Sequence, residues 1–263
     1  MELAFPKLRR NQQKGSKPRC HLLTNGTASE VAARLTSLIE PWGDVRFTDR
    51  WMPFGFERCS EAQLHTANEL IPDRQDREAL RDWWLAISTE RTTTPNIDLA
   101  STCLVRGKQG LLLIEAKAHD AELRNEERGK PVENHSSNDS QRNHDHIDLA
   151  IRAANNSLSA ATKLKWSLSR DSHYQMSNRF AWAWKLAELG IPVILAYVGF
   201  IGCEEMRKGK KQRPLSSQEE WEEMVCDHSR PLFPDEVWNR EWRVRGQSLI
   251  PIIRTSNQAL DSL

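Results

Sequence analysis

Gly110-Leu111-Leu112-Leu113-Ile114-Glu115-Ala116-Lys117 is the stretch on which the fold turns. Its apolar part is short, continuous and preceded by the turn-forming Gly107-Lys108-Gln109-Gly110, so it reads as a strand and not as one stripe of a helix. Leu111 and Leu113 point to one face, Leu112 and Ile114 to the other, which makes this a strand covered on both sides. The strand then runs directly into Glu115 and Lys117, which alternation places on one face.

Upstream, residues 97–105 are rich in β-formers, and with residues 111–116 they form a hairpin. If Lys108-Gln109 is a two-residue turn, Glu115 opposes Thr102, Lys117 opposes Ala100 and Asp98 opposes His119. Asp98 then lies on the face of Glu115 and Lys117, at the same end. Two hard oxygen ligands beside a lysine suit magnesium-assisted attack of water on a phosphodiester. The competing reading is a strand end carrying an ordinary ion pair, which expects Asp98 to lie more than one cross-strand spacing from Glu115.

Further out, Ser29 caps a helix over Val31, Leu35, Leu38 and Ile39 that Pro41 stops. A second helix is expected over 60–70, and a third over 76–87 with Leu80, Trp83, Trp84 and Ile87 in one stripe. Residues 1–26 read as a flexible basic arm, and residues 119–146 as a polar surface loop too charged to bury. Ile147, Ile151, Ala154, Leu158 and Ala161 repeat at helical spacing. A helix over 175–189 ends at Gly190 and leads through Pro192 into a strand over 193–200, a helix-strand unit of the α/β type. A helix over 217–226 and a strand over 249–253 follow. The organisation expected is one domain over 27–263, its core at about 57–202 and an extension over 203–263.

The chain has 263 residues, 38% hydrophobic and 28% charged, with a formal net charge of +1. No apolar run is long enough to span a bilayer and no secretory h-region is present, so a cytoplasmic protein without membrane contact is expected. Cys20, Cys59, Cys103, Cys203 and Cys226 are scattered without a CxxC pair, which speaks for reduced thiols. Nucleic-acid contact has to rest on local patches: Lys7, Arg9, Arg10, Lys14, Lys17 and Arg19, then Arg207, Lys208, Lys210, Lys211 and Arg213. Each patch by itself reads as a solvated tail or loop. His135, His144 and His146 sit without a scaffold and read as solvated side chains; the tryptophans at 83, 84, 182 and 184 read as packing.

Pro95-Asn96-Ile97-Asp98, followed by the hairpin and Gly110 to Lys117, resembles the PD-(D/E)XK nuclease superfamily over roughly residues 57–202. The resemblance implies a restriction-endonuclease-like α/β fold: a mixed central sheet flanked by helices, here with added helices at the N- and C-terminal sides. Two residues separate Pro95 from Asp98 where the name-giving pattern has them adjacent, and no first strand is evident before Pro95. The resemblance further implies that Asp98 and Glu115 bind magnesium, or manganese in its place, that Lys117 is the catalytic lysine, and that DNA is the partner, with a homodimer left open. Ser60-Glu61-Ala62-Gln63-Leu64-His65 is similar to the E-x-x-L-H form of the family's first core helix, which makes Glu61 the candidate third carboxylate, with Glu69 and Glu78 as rivals. Glu78 falls opposite its helix's apolar stripe and is expected to be solvated. Gln175 matches the polar residue that similar nucleases place after the E-x-K strand. Arg179 offers a guanidinium fork for phosphate, and Asn178, Tyr174 and His119 are further candidate substrate contacts. Three functions follow as expectations: a magnesium-dependent nuclease, a non-cutting nucleic-acid- or partner-binding module on the same fold, or an unrelated α/β protein.

Overall fold

The computed structural model describes residue 8 and residues 12–89, 92–131, 137–209 and 211–260. Strands β3 (Leu99–Val105) and β4 (Lys108–Lys117) form the expected hairpin, but it turns at Arg106-Gly107, with φ of 49° and 77°. Two successive positive φ angles belong to the turn whose twist matches paired strands, and Gly107 takes its angle without steric cost. Lys108-Gln109 offers no such residue. Ala100 therefore faces Leu113 and not Lys117, a shift of four positions from the expected pairing. An even shift keeps every side chain on its face, so Asp98, one residue before the Leu99–Ile114 pair, comes opposite Glu115 instead of His119.

On the other side of β4, β5 (Val193–Phe200) runs parallel, placing Tyr197 beside Glu115 and Gly199 beside Lys117. β7 (Gln247–Ser256) continues parallel to β5, and β6 (Trp242–Val244) closes that edge antiparallel. The short β1 (Gly43–Asp44) and β2 (Trp51–Met52) both pair antiparallel with β3. Among the described residues the sheet order is β1-β3-β4-β5-β7-β6. β4 and β5 lie in its middle, which is why their apolar runs are continuous. Leu112 and Ile114 pack under α1 (Ser16–Leu23) and α2 (Ala28–Ile39). Leu111 and Leu113 pack under α3 (Arg74–Trp84), α5 (Asn138–Thr162), α6 (Tyr174–Glu188) and α7 (Gln218–Ser229). The architecture is a mixed α/β sheet flanked by helices.

Caps explain most boundaries. Thr27 and Glu30 form a reciprocal capping box that starts α2 ahead of the expected Ser29, and Asp73 and Ser217 cap α3 and α7. Trp83, Trp84, Trp182 and Trp184 pack against one another, as expected, with ring centroids 5.2–6.0 Å apart.

Three further expectations fail. The N-terminal arm is not free over residues 16–23: α1 buries Cys20 and Leu23 in the core, and Arg19 pairs with Glu205 at 2.6 Å. No helix forms over 60–70; Ala62 bridges to Ile97, and separate turns carry Leu64, Ala67 and Leu70 into the core. There the Thr66 hydroxyl donates to the Gln63 carbonyl at 3.0 Å, a local bond that competes with helix continuation. Residues 119–146 are not a loop throughout: they hold α4 (Asp120–Asn125) and the first turns of α5. Pairing makes this burial affordable, since Asp120 accepts from Arg124 at 2.7 Å and from the Arg213 backbone N–H at 2.8 Å. Among the described residues no helix is long and apolar enough to cross a membrane.

Candidate active site

The carboxyl ends of the parallel strands β4 and β5 meet the N-terminal turns of α6, because α6 runs back along the sheet before β5 begins. Glu115 stands at that junction with no exposed surface. Its Oε1 accepts from Lys117 Nζ and from Gln175 Nε2, and its Oε2 accepts from Arg179 Nε. Gln175 and Arg179 are one helical turn apart, so a single face of α6 delivers both. Lys117 is 5% exposed and also contacts Glu126 Oε1 at 2.6 Å, while Arg179, 4% exposed, donates from Nη1 to Asn178 Oδ1 at 2.7 Å. Asp98 is half-buried, and its Oδ2 accepts from the Ala116 N–H at 2.9 Å.

Burial and charge divide the acids. Burial alone would raise Glu115, but the charges of Arg179 and Lys117 outweigh it and hold the carboxyl down at about 2. Asp98 shows the opposite result: burial, then the neighbouring Glu115 charge, push it up to about 7. Burial likewise pushes Glu126 to about 7, against the pull of Lys117. Lys117 and Arg179 are held in their charged forms because, for each, the Glu115 carboxylate overrides the effect of burial.

Asp98, Glu115, Lys117, Gln175, Asn178 and Arg179 are thus gathered in one place, and Tyr174 lines the cleft beside Gln175, Asn178 and Arg179. Glu61 is not on a helix: it pairs with Lys17 at 2.7 Å and accepts from Asn96 at 3.1 Å. Its charge is felt at Cys20 together with those of Asp98 and Glu115, and its partner Asn96 lies two residues before Asp98. The rivals lie in outlying ion pairs, Glu69 with Arg58 and Glu78 with Arg74, the latter on the solvated side of α3 as expected. His119 misses the site, because the register shift takes it past the sheet; it bridges to Pro214 and lies 3.5 Å from Glu122.

Four cations of the basic patches are paired within the molecule, and Lys14, Lys208 and Lys211 show no ion pair among the described residues. Lys17 and Arg19 pair with Glu61 and Glu205, Arg207 with Glu204, and Arg213 with Asp120. Lys7, Arg9, Arg10, Lys210 and His135 lie outside the described residues. His144 is buried and not solvated, with Nε2 3.0 Å from the Lys130 carbonyl oxygen, and His146 Nε2 lies 3.2 Å from the Asp82 carbonyl oxygen. Both histidines serve the packing of α5.

Sequence reasoning missed Glu126 and His228. Glu126, the residue after α4, is buried against Lys117, and His228 Nε2 of α7 approaches its Oε2 at 3.8 Å. Burial, then the nearby His173, lower His228 to about 3, so it faces Glu126 as a neutral imidazole. The only signal for Glu126 lies inside a charged run, where nothing separates a buried acid from its solvated neighbours.

A hard divalent cation fits the donor set. A carboxylate offers about four lone-pair positions. Lys117, Gln175 and Arg179 use three on Glu115, and the Ala116 N–H uses one on Asp98, so both acids retain capacity toward a cation once Asp98 is ionised. No protein family matches the chain, no curated protein is detectably similar to it, and no solved structure matches its fold.

Proposed function

We propose that this chain is a metal-dependent nuclease of restriction-endonuclease-like architecture that hydrolyses phosphodiester bonds in DNA, with magnesium, or manganese in its place, as cofactor. One observation carries the reading: Asp98, Glu115 and Lys117 meet on one sheet face at the carboxyl ends of two parallel strands, with Gln175 and Arg179 reaching in from α6. The ion-pair reading expects Asp98 far from Glu115, whereas Asp98 accepts from the N–H of Ala116, the residue next to Glu115, at 2.9 Å. The architecture is supported by short strands before the hairpin, the hairpin itself, and the helical crossover into parallel β5. Five free thiols accord with a cytoplasmic setting.

Asp98 and Glu115 would hold the cation. Bound there, it supplies Lewis acidity toward a phosphoryl oxygen and a lowered pKa for water. Lys117, permanently charged, orients that water and offsets charge developing on the phosphate. Gln175 and Arg179 hold the Glu115 carboxylate in one orientation, so little reorganisation accompanies the reaction.

A second reading, a non-cutting binding module on the same fold, is favoured by the complete burial of Glu115 and by its three internal donors. Cleavage decides between them. Supercoiled plasmid and single-stranded DNA are incubated with the protein in magnesium, in EDTA, and with Lys117→Ala and Lys117→Met. Magnesium-dependent cleavage that both variants reduce at least about a thousandfold, with folding retained by circular dichroism, is expected. Cleavage unaffected by either variant, or none by folded wild-type protein, overturns the nuclease reading.

A further inference from the structure

A cleft of about 270 Å³ opens between residues 93–96 and the first turns of α6, lined by Asn96, Lys130, Tyr174, Gln175, Asn178 and Arg179 among others. It leads to the candidate site, since Gln175 and Arg179 are the groups that hold Glu115 and Asn96 lies two residues before Asp98. Its described lining contains two cations and no carboxylate.

Lys130 is the distinctive member. Its backbone is pinned, the N–H donating to the Arg170 carbonyl at 2.8 Å and its own carbonyl oxygen 3.0 Å from His144 Nε2. Its ammonium lies over the Tyr174 ring, 5.2 Å from the centroid, and among the described residues no carboxylate pairs with it. Most other cations near the site are already neutralised: Lys17, Lys117, Arg170 and Arg179 all have carboxylate partners. A half-buried cation that no described carboxylate neutralises, set on an aromatic ring at the wall of a cleft, offers a counter-charge to one nucleotide. The ammonium meets a phosphate, and Tyr174 supplies an aromatic wall for a base.

Size decides the form of that nucleotide. Glu115, Lys117 and Arg179 are at most 5% exposed, so the reacting phosphate has to enter a recess. A cleft of about 270 Å³ has room for one nucleobase with its sugar but not for a base pair, so the part of the DNA that fills it is unpaired. We infer that the cleft binds a single unpaired nucleotide beside the scissile phosphate, so that this protein acts on single-stranded DNA or on a nucleotide extruded from a duplex. The inference deepens the nuclease reading and rests on it for the chemistry, but not for the binding.

Fluorescence anisotropy in EDTA, where no cleavage occurs, tests it with labelled single-stranded, blunt duplex and bulged duplex DNA of one sequence. The single strand and the bulged duplex are expected to bind at least about tenfold more tightly than the blunt duplex. Lys130→Ala and Tyr174→Ala should each weaken single-strand binding about tenfold, while Tyr174→Phe, which keeps the ring, binds as wild type does. A single strand carrying 2-aminopurine should lose fluorescence on binding wild-type protein as the base stacks, a readout that needs no variant. Equal affinity for all three DNAs, no binding of any, no quenching, or unchanged affinity in folded Lys130→Ala and Tyr174→Ala would overturn the inference. The two proposals fail separately: cleavage of paired plasmid without single-strand preference removes this one only, and tight single-strand binding without magnesium-dependent cleavage removes only the nuclease.

Discussion

Asp98 and Glu115 face each other where two negative charges are costly, and the pair settles by unequal protonation, Glu115 ionised to about 2 and Asp98 holding its proton to about 7. A carboxyl whose folded pKa is raised contributes stability that is complete below its unfolded value near 4 and is lost as pH rises through about 7. Glu115, depressed, contributes in the other sense: its share is present above about 4.5 and is lost as pH falls toward 2. Asp98→Asn keeps an acceptor for the Ala116 N–H and cannot ionise. In EDTA at pH 8 its melting temperature should exceed the wild type's, by about 2–4 °C for each kcal/mol recovered, and the difference should vanish near pH 4. An unchanged thermal melt at pH 8 would contradict the burial of charge at Asp98. At this scale Asp98, Glu115 and Lys117 were legible because alternation along a strand is strict. Glu126 was not, because its distinction from Glu122 and Glu127 is burial alone.

Among the elements, the hairpin carries the site, and its turn sets which acid meets which. Arg106-Gly107 occupies the left-handed region at both positions, and nothing lies within 4 Å of where a Gly107 Cβ would sit. The cost of Gly107→Val is therefore backbone strain alone, about 1–2 kcal/mol. Gly107→Asn, better suited to that region, should cost markedly less. Urea denaturation of both variants measures the difference, and equal stability would argue against this turn. The expected turn at Lys108-Gln109 misplaced the pairing by four residues, yet the face assignment survived because the error was even. The unit made of α6 and β5 was readable almost to the residue, from Gly190, Pro192 and the apolar run. Residues 60–70 were misread because Ala62, Leu64, Ala67 and Leu70 have helical spacing but reach the core through turns.

For the molecule as a whole, the proposed metal binding would couple to pH through the site. A cation that takes Asp98 has to displace its proton, so magnesium affinity should fall about tenfold for each pH unit below about 7 and level off above it. Calorimetric titration at several pH values checks this, and an affinity independent of pH between about 5.5 and 7.5 would count against Asp98 as a ligand. The sequence by itself determined the mixed α/β class, the buried middle strands, the helix-strand unit and the face shared by Asp98, Glu115 and Lys117. All of these follow from local periodicity, turn residues and the two-residue repeat of a strand. Only the tertiary structure decided that α1 is a packed helix, that Glu61 pairs with Lys17, that Glu126 holds Lys117, and that Lys130 and Tyr174 wall a cleft beside the site. These depend on which charge finds a partner far away in the chain, as Arg19 finds Glu205, and such long-range pairing leaves no periodic trace in either segment.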